Sequence, residues 1–226
     1  MTEQLPKTVE SNQHEPHPRL RDVVLRHLRH PFLKPIAAHN RAAFDAIAER
    51  VAAHTGPLLL DSFCGTGEST AALAAANPTA LVIGIDKSAH RLGKHQAGPG
   101  NYELVRADTD DFWRLALAAG WRPQRHSLFY PNPWPKKEHL QRRVHGSPLF
   151  STLLALGGAL ELRSNWPVYV GEFAQALALA GWRTEVEELS VEAPLSAFER
   201  KYRHAGQTLW RCIGCATRAD DPDAAL

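Results

Sequence analysis

The chain has 226 residues, 44% of them apolar and 22% charged, with a formal net charge of +2. This is enough chain for one large domain with its own core, in a composition ordinary for a soluble globular protein. Near-neutrality removes any general demand for a polyanionic partner, and three cysteines (Cys64, Cys212, Cys215) are too few and too uneven for a disulfide framework, which favours a reduced, cytoplasmic setting.

In chain order, residues 1–18 are polar, carry Pro6, Pro16 and Pro18, and read as a disordered tail without a signal-peptide core. Leu20–His30 and Ile36–His54 read as helices of a basic extension over 19–55. Strand and helix patterns then alternate through 56–217. Pro57–Asp61, Leu81–Asp86, Tyr102–Ala107, His126–Tyr130 and Ala159–Arg163 read as strands. Ser69–Ala76, Ser88–His95, Asp110–Ala119, Pro148–Ala155 and Pro167–Ala180 read as helices, and Trp182–Val191 and Thr208–Ala216 as two last strands. Residues 218–226, with Asp220, Asp221 and Asp223, read as a disordered acidic tail. The longest uncharged stretch, Ser69–Ile85, is broken by Asn77 and Pro78, so no membrane span is expected.

Short apolar strands alternating with helices predict an α/β fold: a Rossmann-like, seven-stranded, mostly parallel sheet with helices on both faces and an antiparallel last strand. Ligands of such sheets sit at the carboxyl ends of the strands. There the sequence places Asp61, Asp86, Asp108 and Asn132. Asp61-Ser-Phe-Cys-Gly65-Thr-Gly67 follows the first strand, and its two glycines allow a tight turn against a ligand. It is neither a phosphate loop, since no GK[ST] follows, nor a complete dinucleotide fingerprint, since Phe63 stands where the first glycine would be. Asp86 is placed for a ribose diol and Asp108 for an adenine amine. Helix capping is the simpler role for both acids, but it does not account for their occurrence as a set.

The densest signal is Leu128-FYPNPWPKKEHLQR-Arg143: three prolines, an asparagine and a tryptophan directly after an apolar run, then bases. Proline ends the strand and stiffens the loop beyond it. Asn132 and Trp134 are therefore expected on a rigid loop facing a ligand. Trp134 either packs beneath that loop or offers a stacking surface. Lys136, Lys137, Arg142 and Arg143 come directly after it, which favours phosphate contact. Three segments concentrate Lys and Arg: six against two acids in Glu15–Arg41, four against one in Trp134–His145, and four against one in Ala197–Arg211. Together they predict a basic face. Cys212-Ile-Gly-Cys215 is a lone pair without partners and reads as a buried strand. The twelve histidines are scattered, so no metal is expected.

The strand-end acids and glycine loop resemble those of class I methyltransferases, whose cofactor S-adenosylmethionine carries a sulfonium and an amino group. Phe129-Tyr-Pro-Asn-Pro-Trp-Pro-Lys136 resembles the PDPWPK signature of the bacterial tRNA (guanine-N(7)-)-methyltransferases. Leu162-Arg-Ser-Asn-Trp166 with Tyr169 is similar to that family's T-D-W-x-x-Y stretch, and Leu195-Ser-Ala-Phe-Glu199 to its T-K-F-E segment. Order and spacing fit from about Asp61 to Arg211. The resemblance implies methyl transfer to guanine N(7) in the variable loop of tRNA. It implies cofactor contacts at Asp61, Gly65, Gly67, Asp86, Asp108 and Asn132, with Asn132 at the catalytic position. It implies RNA or base contacts at Lys136, Asn165, Ser196, Ala197, Phe198 and Glu199.

The chain departs from the pattern: both family aspartates are asparagines here, Asn132 and Asn165, and threonine has become Ser164 and Ser196. A carboxylate accepts two hydrogen bonds from guanine, whereas an amide also presents a donor and pairs with adenine. Two other readings therefore stay open. Asn132-Pro-Trp134 is similar to the [ND]PP[YFW] loop of amino-group methyltransferases, less one proline. A non-catalytic relative that binds cofactor, RNA or a partner protein would also carry such amides. Monomer and dimer are both open.

Overall fold

The apolar runs at 58–62, 81–86, 125–129 and 159–164 become strands buried on both faces of one sheet. The computed structural model describes residues 9–30 and 32–217. In chain order the elements are α1 (Leu20–Arg29), α2 (Ala38–Ala53), β1 (Leu58–Ser62), α3 (Glu68–Ala76), β2 (Leu81–Asp86), α4 (Ala89–Leu92), β3 (Tyr102–Arg106), α5 (Thr109–Ala118) and β4 (Arg125–Phe129). Two 3-10 turns, Lys137–Arg142 and Val144–Gly146, precede α6 (Phe150–Leu156), β5 (Ala159–Ser164), α7 (Pro167–Leu179), β6 (Trp182–Glu188), α8 (Ala197–His204) and β7 (Trp210–Ala216).

The seven strands run in the order β3-β2-β1-β4-β5-β7-β6. The pairs from β3 to β5 are parallel, and β7 is antiparallel to both β5 and β6. This is the expected class, with the last strand reversed. The order turns outward on either side of β1 and β4, whose registers place Ser62 opposite Leu128. The loops after β1 and β4 therefore leave the same edge side by side, which is where such sheets bind ligands.

Alternate residues of each strand feed two clusters. Leu58 and Leu60 of β1 and Leu81, Ile83 and Ile85 of β2 join the larger one, which includes residues of α1, α2, α5, α6 and α7. Leu59, Val82 and Phe129 join the smaller one with Leu73 and Ala74 of α3. Phe44, Phe112 and Trp121 form an aromatic knot at centroid distances of 4.8–5.7 Å and dock α2 on α5. Burying a Phe completely contributes about 1.5–3 kcal/mol, so the basic helices are parts of the main core.

Four local readings differ. Helix α4 is a single turn, because Gly93 ends it. Helix α8 lies where the sequence shows only a basic, polar run; its one local signal is Ser196-x-x-Glu199, in which Ser196 Oγ accepts the Glu199 N–H at 3.2 Å. Of the expected disordered tails, 1–8 and 218–226 lie outside the described residues, but the chain from Val9 onward is engaged, with Gln13 only 3% exposed. Cys212 is buried and Cys215 exposed, since residues three apart on a strand face opposite ways.

Helix α3 lies so close to β2 that there is no space for a side chain at Gly84. A Cβ there would stand 2.3 Å from Thr70 Oγ1 and 2.7 Å from Leu104 Cδ2. Gly84→Ala is expected to lower the urea-unfolding free energy by about 1–3 kcal/mol through overpacking. An unchanged midpoint would show that α3 yields freely.

Candidate methyl-transfer site

The loop after β1 departs from ordinary backbone at three positions: Phe63 at φ 64°, Gly65 at φ 62° and Gly67 at φ 79°. Such left-handed residues are costly unless glycine and tend to gather at functional sites. Gly67 could not be replaced cheaply in any case, because a Cβ would stand 2.6 Å from Leu104 Cδ1. Neighbouring strands hold the loop. Gly65 N–H donates to Asp86 Oδ2 at 3.0 Å, and Cys64 N–H to Ile85 O at 3.1 Å. The His95 ring bridges Thr66 O at 2.9 Å and the Tyr102 hydroxyl at 2.6 Å.

Asp61 is wholly buried. Its Oδ2 accepts from Ser69 Oγ and Thr70 Oγ1, both at 2.7 Å, while Oδ1 is buried without a partner. Burial pushes this carboxyl up to about 6, against the pull of the two hydroxyls. An orphan carboxylate oxygen inside a protein is costly, and a cationic ligand group would satisfy it. Asp86 is buried too. Its Oδ1 accepts from Ser88 N–H at 2.8 Å and pairs with Arg91 at 3.0 Å, so a ligand hydroxyl reaching this acid shares it with Arg91. Asp108 is exposed at the start of α5 and makes no side-chain cap bond. Capping therefore does not explain Asp108, and Ser88, not Asp86, caps α4.

The loop after β4 is bent twice into the left-handed region, at Tyr130 (φ 53°) and Trp134 (φ 47°). Asn132 is exposed, and its Oδ1 accepts the Trp134 N–H at 3.2 Å, a local turn typical of asparagine and aspartate. The Trp134 ring is flanked by Arg142 at 4.9 Å and His139 at 5.4 Å. Lys136 and Lys137 lie exposed beside it.

Arg143 was expected to meet phosphate and does not: it is 0% exposed. Its Nη1 pairs with Glu172 of α7, Nη2 donates to Gln13 Oε1 at 2.9 Å and Lys136 O at 3.3 Å, and Nε donates to Trp134 O at 3.2 Å. Glu172 is also 0% exposed and further accepts from His145 Nε2 at 2.9 Å. Burial alone would raise Glu172, but the His145 hydrogen bond and the His145 and Arg143 charges outweigh it and hold the carboxyl at about 2.

Helix α8 forms the other wall. Phe198 is 40% exposed, and its ring comes within 4.0 Å of where a Gly65 Cβ would be. Phe198 stacks on Tyr202 at 6.2 Å, which tilts against Tyr130 at 5.6 Å. Arg200 pairs with Glu68, the first residue of α3, at 2.6 Å. Ala197 is exposed and Ser196 half-buried. Glu199, expected to line the pocket, is instead 0% exposed. It accepts from Arg163 at 2.7 Å, the Tyr130 hydroxyl at 3.1 Å and Leu195 N–H at 2.7 Å. It clamps α8 to the ends of β4 and β5 and offers no free face to a base. Asn165 is half-buried, its Nδ2 bonded to Gln207 Oε1 at 2.8 Å. The glycine loop, the Asn132 loop and the Ser196–Glu199 segment are thus brought together, while Lys136 stays on the rim. Tyr130, Arg163, Glu172 and Gln13 were missed as supports, since nothing local marks a residue whose partner lies far along the chain.

Among the described residues no group of three or more His, Cys, Asp or Glu is placed to hold a metal ion, and no helix is long and apolar enough to cross a membrane. A cleft of about 420 Å³ beside His54 and Trp121 lies at the opposite, amino edge of the sheet.

A family model described as "Putative methyltransferase" matches residues 55–212. The tRNA (guanine-N(7)-)-methyltransferase of Pseudomonas paraeruginosa is 30% identical over 182 residues, covering 74% of this chain and 72% of that protein. That of Thiobacillus denitrificans is 29% identical over 184 residues, covering 75% and 78%. Among solved structures, the 16S rRNA methyltransferase KamB superposes with a TM-score of 0.58 at 21% identity, over 76% of this chain and 94% of that one. At that identity the likeness carries the fold alone.

Removing Arg143 would strand the Glu172 carboxylate without water. Arg143→Ala is expected to cost about 3–5 kcal/mol in urea unfolding, as breaking a buried ion pair typically does. A loss below about 1 kcal/mol, the range of an exposed pair, would contradict this account of the knot.

Proposed function

The chain belongs to the family of the bacterial tRNA (guanine-N(7)-)-methyltransferases, and from that premise we propose that it moves the methyl group of S-adenosylmethionine to N(7) of a guanine in the variable loop of tRNA. The observation that carries this reading is the pairing of two held loops at one sheet edge: the glycine loop with the orphan Oδ1 of Asp61, and the Asn132 loop next to it. Asp61 takes the cofactor's cationic end, Asp86 its ribose and Asp108 its adenine, with Gly65 and Gly67 letting the backbone approach. Lys136, Asn165 and Ser196–Phe198 face the RNA side, and Glu199 supports them from beneath.

The chemistry asks little of a general base. Guanine N(7) has an in-plane lone pair and no proton. It attacks the sulfonium methyl in line, the carbon–sulfur bond breaks, and the electron pair stays on sulfur. The positive charge moves to the purine and no proton is transferred. Placement and electrostatics therefore carry the rate. Guanine shows two acceptors on this edge, N(7) and O(6). The Asn132 carbonyl accepts from the Trp134 N–H, and its amide nitrogen is a donor that can bind O(6), which leaves N(7) clear. The exposed bases Lys136, Lys137 and Arg142 and those of α8 track the phosphates, so tRNA affinity falls steeply with salt.

Incubated with labelled S-adenosylmethionine and unmodified tRNA, the protein is expected to place label at N(7) of the variable-loop guanine. Cofactor binding without label in tRNA would sink the reading. Cofactor affinity should also depend on pH. Asp61 is protonated below about 6 and ionised above it, and only the ionised form attracts a cation. Calorimetry should show binding weakening about fourfold from about pH 7.5 to about pH 5.5, with Asp61→Asn flattening the profile. A flat wild-type profile would remove Asp61 from the site.

A further inference from the structure

The three prolines of the Asn132 loop, Pro131, Pro133 and Pro135, have no N–H. The loop can be held largely through its carbonyls, and three consecutive ones are held. Trp134 O and Lys136 O accept from Arg143, and Pro135 O accepts from Ser11 Oγ at 2.6 Å. Two of the groups that make this possible come from the N-terminal segment. Gln13 is 3% exposed and uses both ends of its amide. Oε1 accepts from Arg143 Nη2 at 2.9 Å, and Nε2 donates to Glu172 Oε1 at 2.7 Å and Glu15 O at 2.9 Å. Gln13 N–H donates to Ser11 Oγ at 3.0 Å and His17 N–H to Glu172 Oε1 at 2.7 Å. Ordering each residue of such a segment costs about 1–2 kcal/mol of backbone entropy. Its buried contacts are mostly polar, and net hydrogen bonds contribute only about 1 kcal/mol each. Stability alone is a weak reason for this arrangement.

We propose that Ser11–His17 is a strap that sets the Asn132 loop for methyl transfer, and that Gln13 is a positioning residue acting through Arg143. The proposal rests on the reading of the Asn132 loop as the transfer loop. The chain of contacts is continuous. Gln13 fixes one arm of the Arg143 fork, the fork fixes the carbonyls on both sides of Pro135, and the Trp134 N–H fixes Asn132 Oδ1. None of these strap contacts reaches the glycine loop, so losing the strap should slow transfer without weakening cofactor binding.

The test uses the full chain carrying Gln13→Ala or, more mildly, Ser11→Ala. With tRNA as substrate, kcat is expected to fall about tenfold for Gln13→Ala and about threefold for Ser11→Ala, as small misplacements of a reacting group do. The KM for S-adenosylmethionine should stay within about twofold of wild type, and amide exchange over 136–143 should quicken locally. An unchanged kcat with unchanged exchange overturns the strap. So does a loss of kcat that tracks an equal loss of cofactor binding and a lower global unfolding midpoint, the mark of a merely structural role. If the wild type binds cofactor but does not methylate tRNA, the exchange measurement decides alone. Local quickening in Gln13→Ala upholds the strap while the tRNA reading fails, and unchanged exchange overturns the strap as well.

Discussion

The guanidinium of Arg143, sealed from water, is the contact on which the carboxyl edge of this molecule depends. A charge in that position is tolerable only when nearly all of its donors are used. Here they reach a carboxylate on α7, an amide on the N-terminal segment and two carbonyls of the Asn132 loop. One planar group thus binds three stretches of chain that are distant in sequence. Buried ion pairs are seldom efficient sources of stability. Their strength is geometry, because a fork of fixed N–H directions accepts few arrangements of its partners. A loop proposed to hold one side chain beside a cofactor, and that has given up three of its N–H groups to proline, gains most from such a fixture.

The second wall of the site is built on similar lines with different parts. Glu199 gathers Arg163, Tyr130 and the Leu195 N–H in a buried cluster, and α8 swings Phe198 over Gly65. The two residues that depart most visibly from the family's pattern, Asn132 and Asn165, sit outside both buried clusters. Each is already bonded to protein, Asn132 to the Trp134 N–H and Asn165 to Gln207. Exchanging carboxylate for amide at these points therefore leaves the scaffold intact and changes only what is shown to the substrate. Methyl transfer to a purine nitrogen without a proton is a reaction that can bear this change, since it depends on placement more than on proton transfer.

The layout of the sheet was legible in the sequence because short apolar runs alternating with helical periods leave little choice of architecture. Asp61, Asp86, Asp108 and Asn132 could be placed at one edge from strand ends alone. Arg143 was misread because a basic run after a loop looks the same whether its members face water or a buried carboxylate. Its partner Glu172 lies on α7 among apolar residues and gives no local sign of the pairing. Glu199 was taken for a site residue on the strength of a family segment, while its burial follows from Arg163 and Tyr130, far away in the chain. Residues 9–18 look disordered because Val9 is the one aliphatic side chain among polar residues and prolines. Apart from Val9, which packs on the core, they are ordered by polar contacts, which composition does not register. Helix α8 was hidden by its polarity, and only the Ser196–Glu199 cap betrayed it.

The central claim is that the Arg143 fork places the loop, beyond supplying a charge opposite Glu172. Arg143→Lys separates the two, since lysine keeps the charge but cannot reach both carbonyls and Gln13 in one rigid plane. Single-turnover methyl transfer by this variant, at saturating cofactor and tRNA, is the most direct measurement. The account predicts a folded protein with cofactor affinity near that of wild type and a transfer rate at least about tenfold lower. Transfer at the wild-type rate would mean that charge pairing alone suffices, and would contradict it.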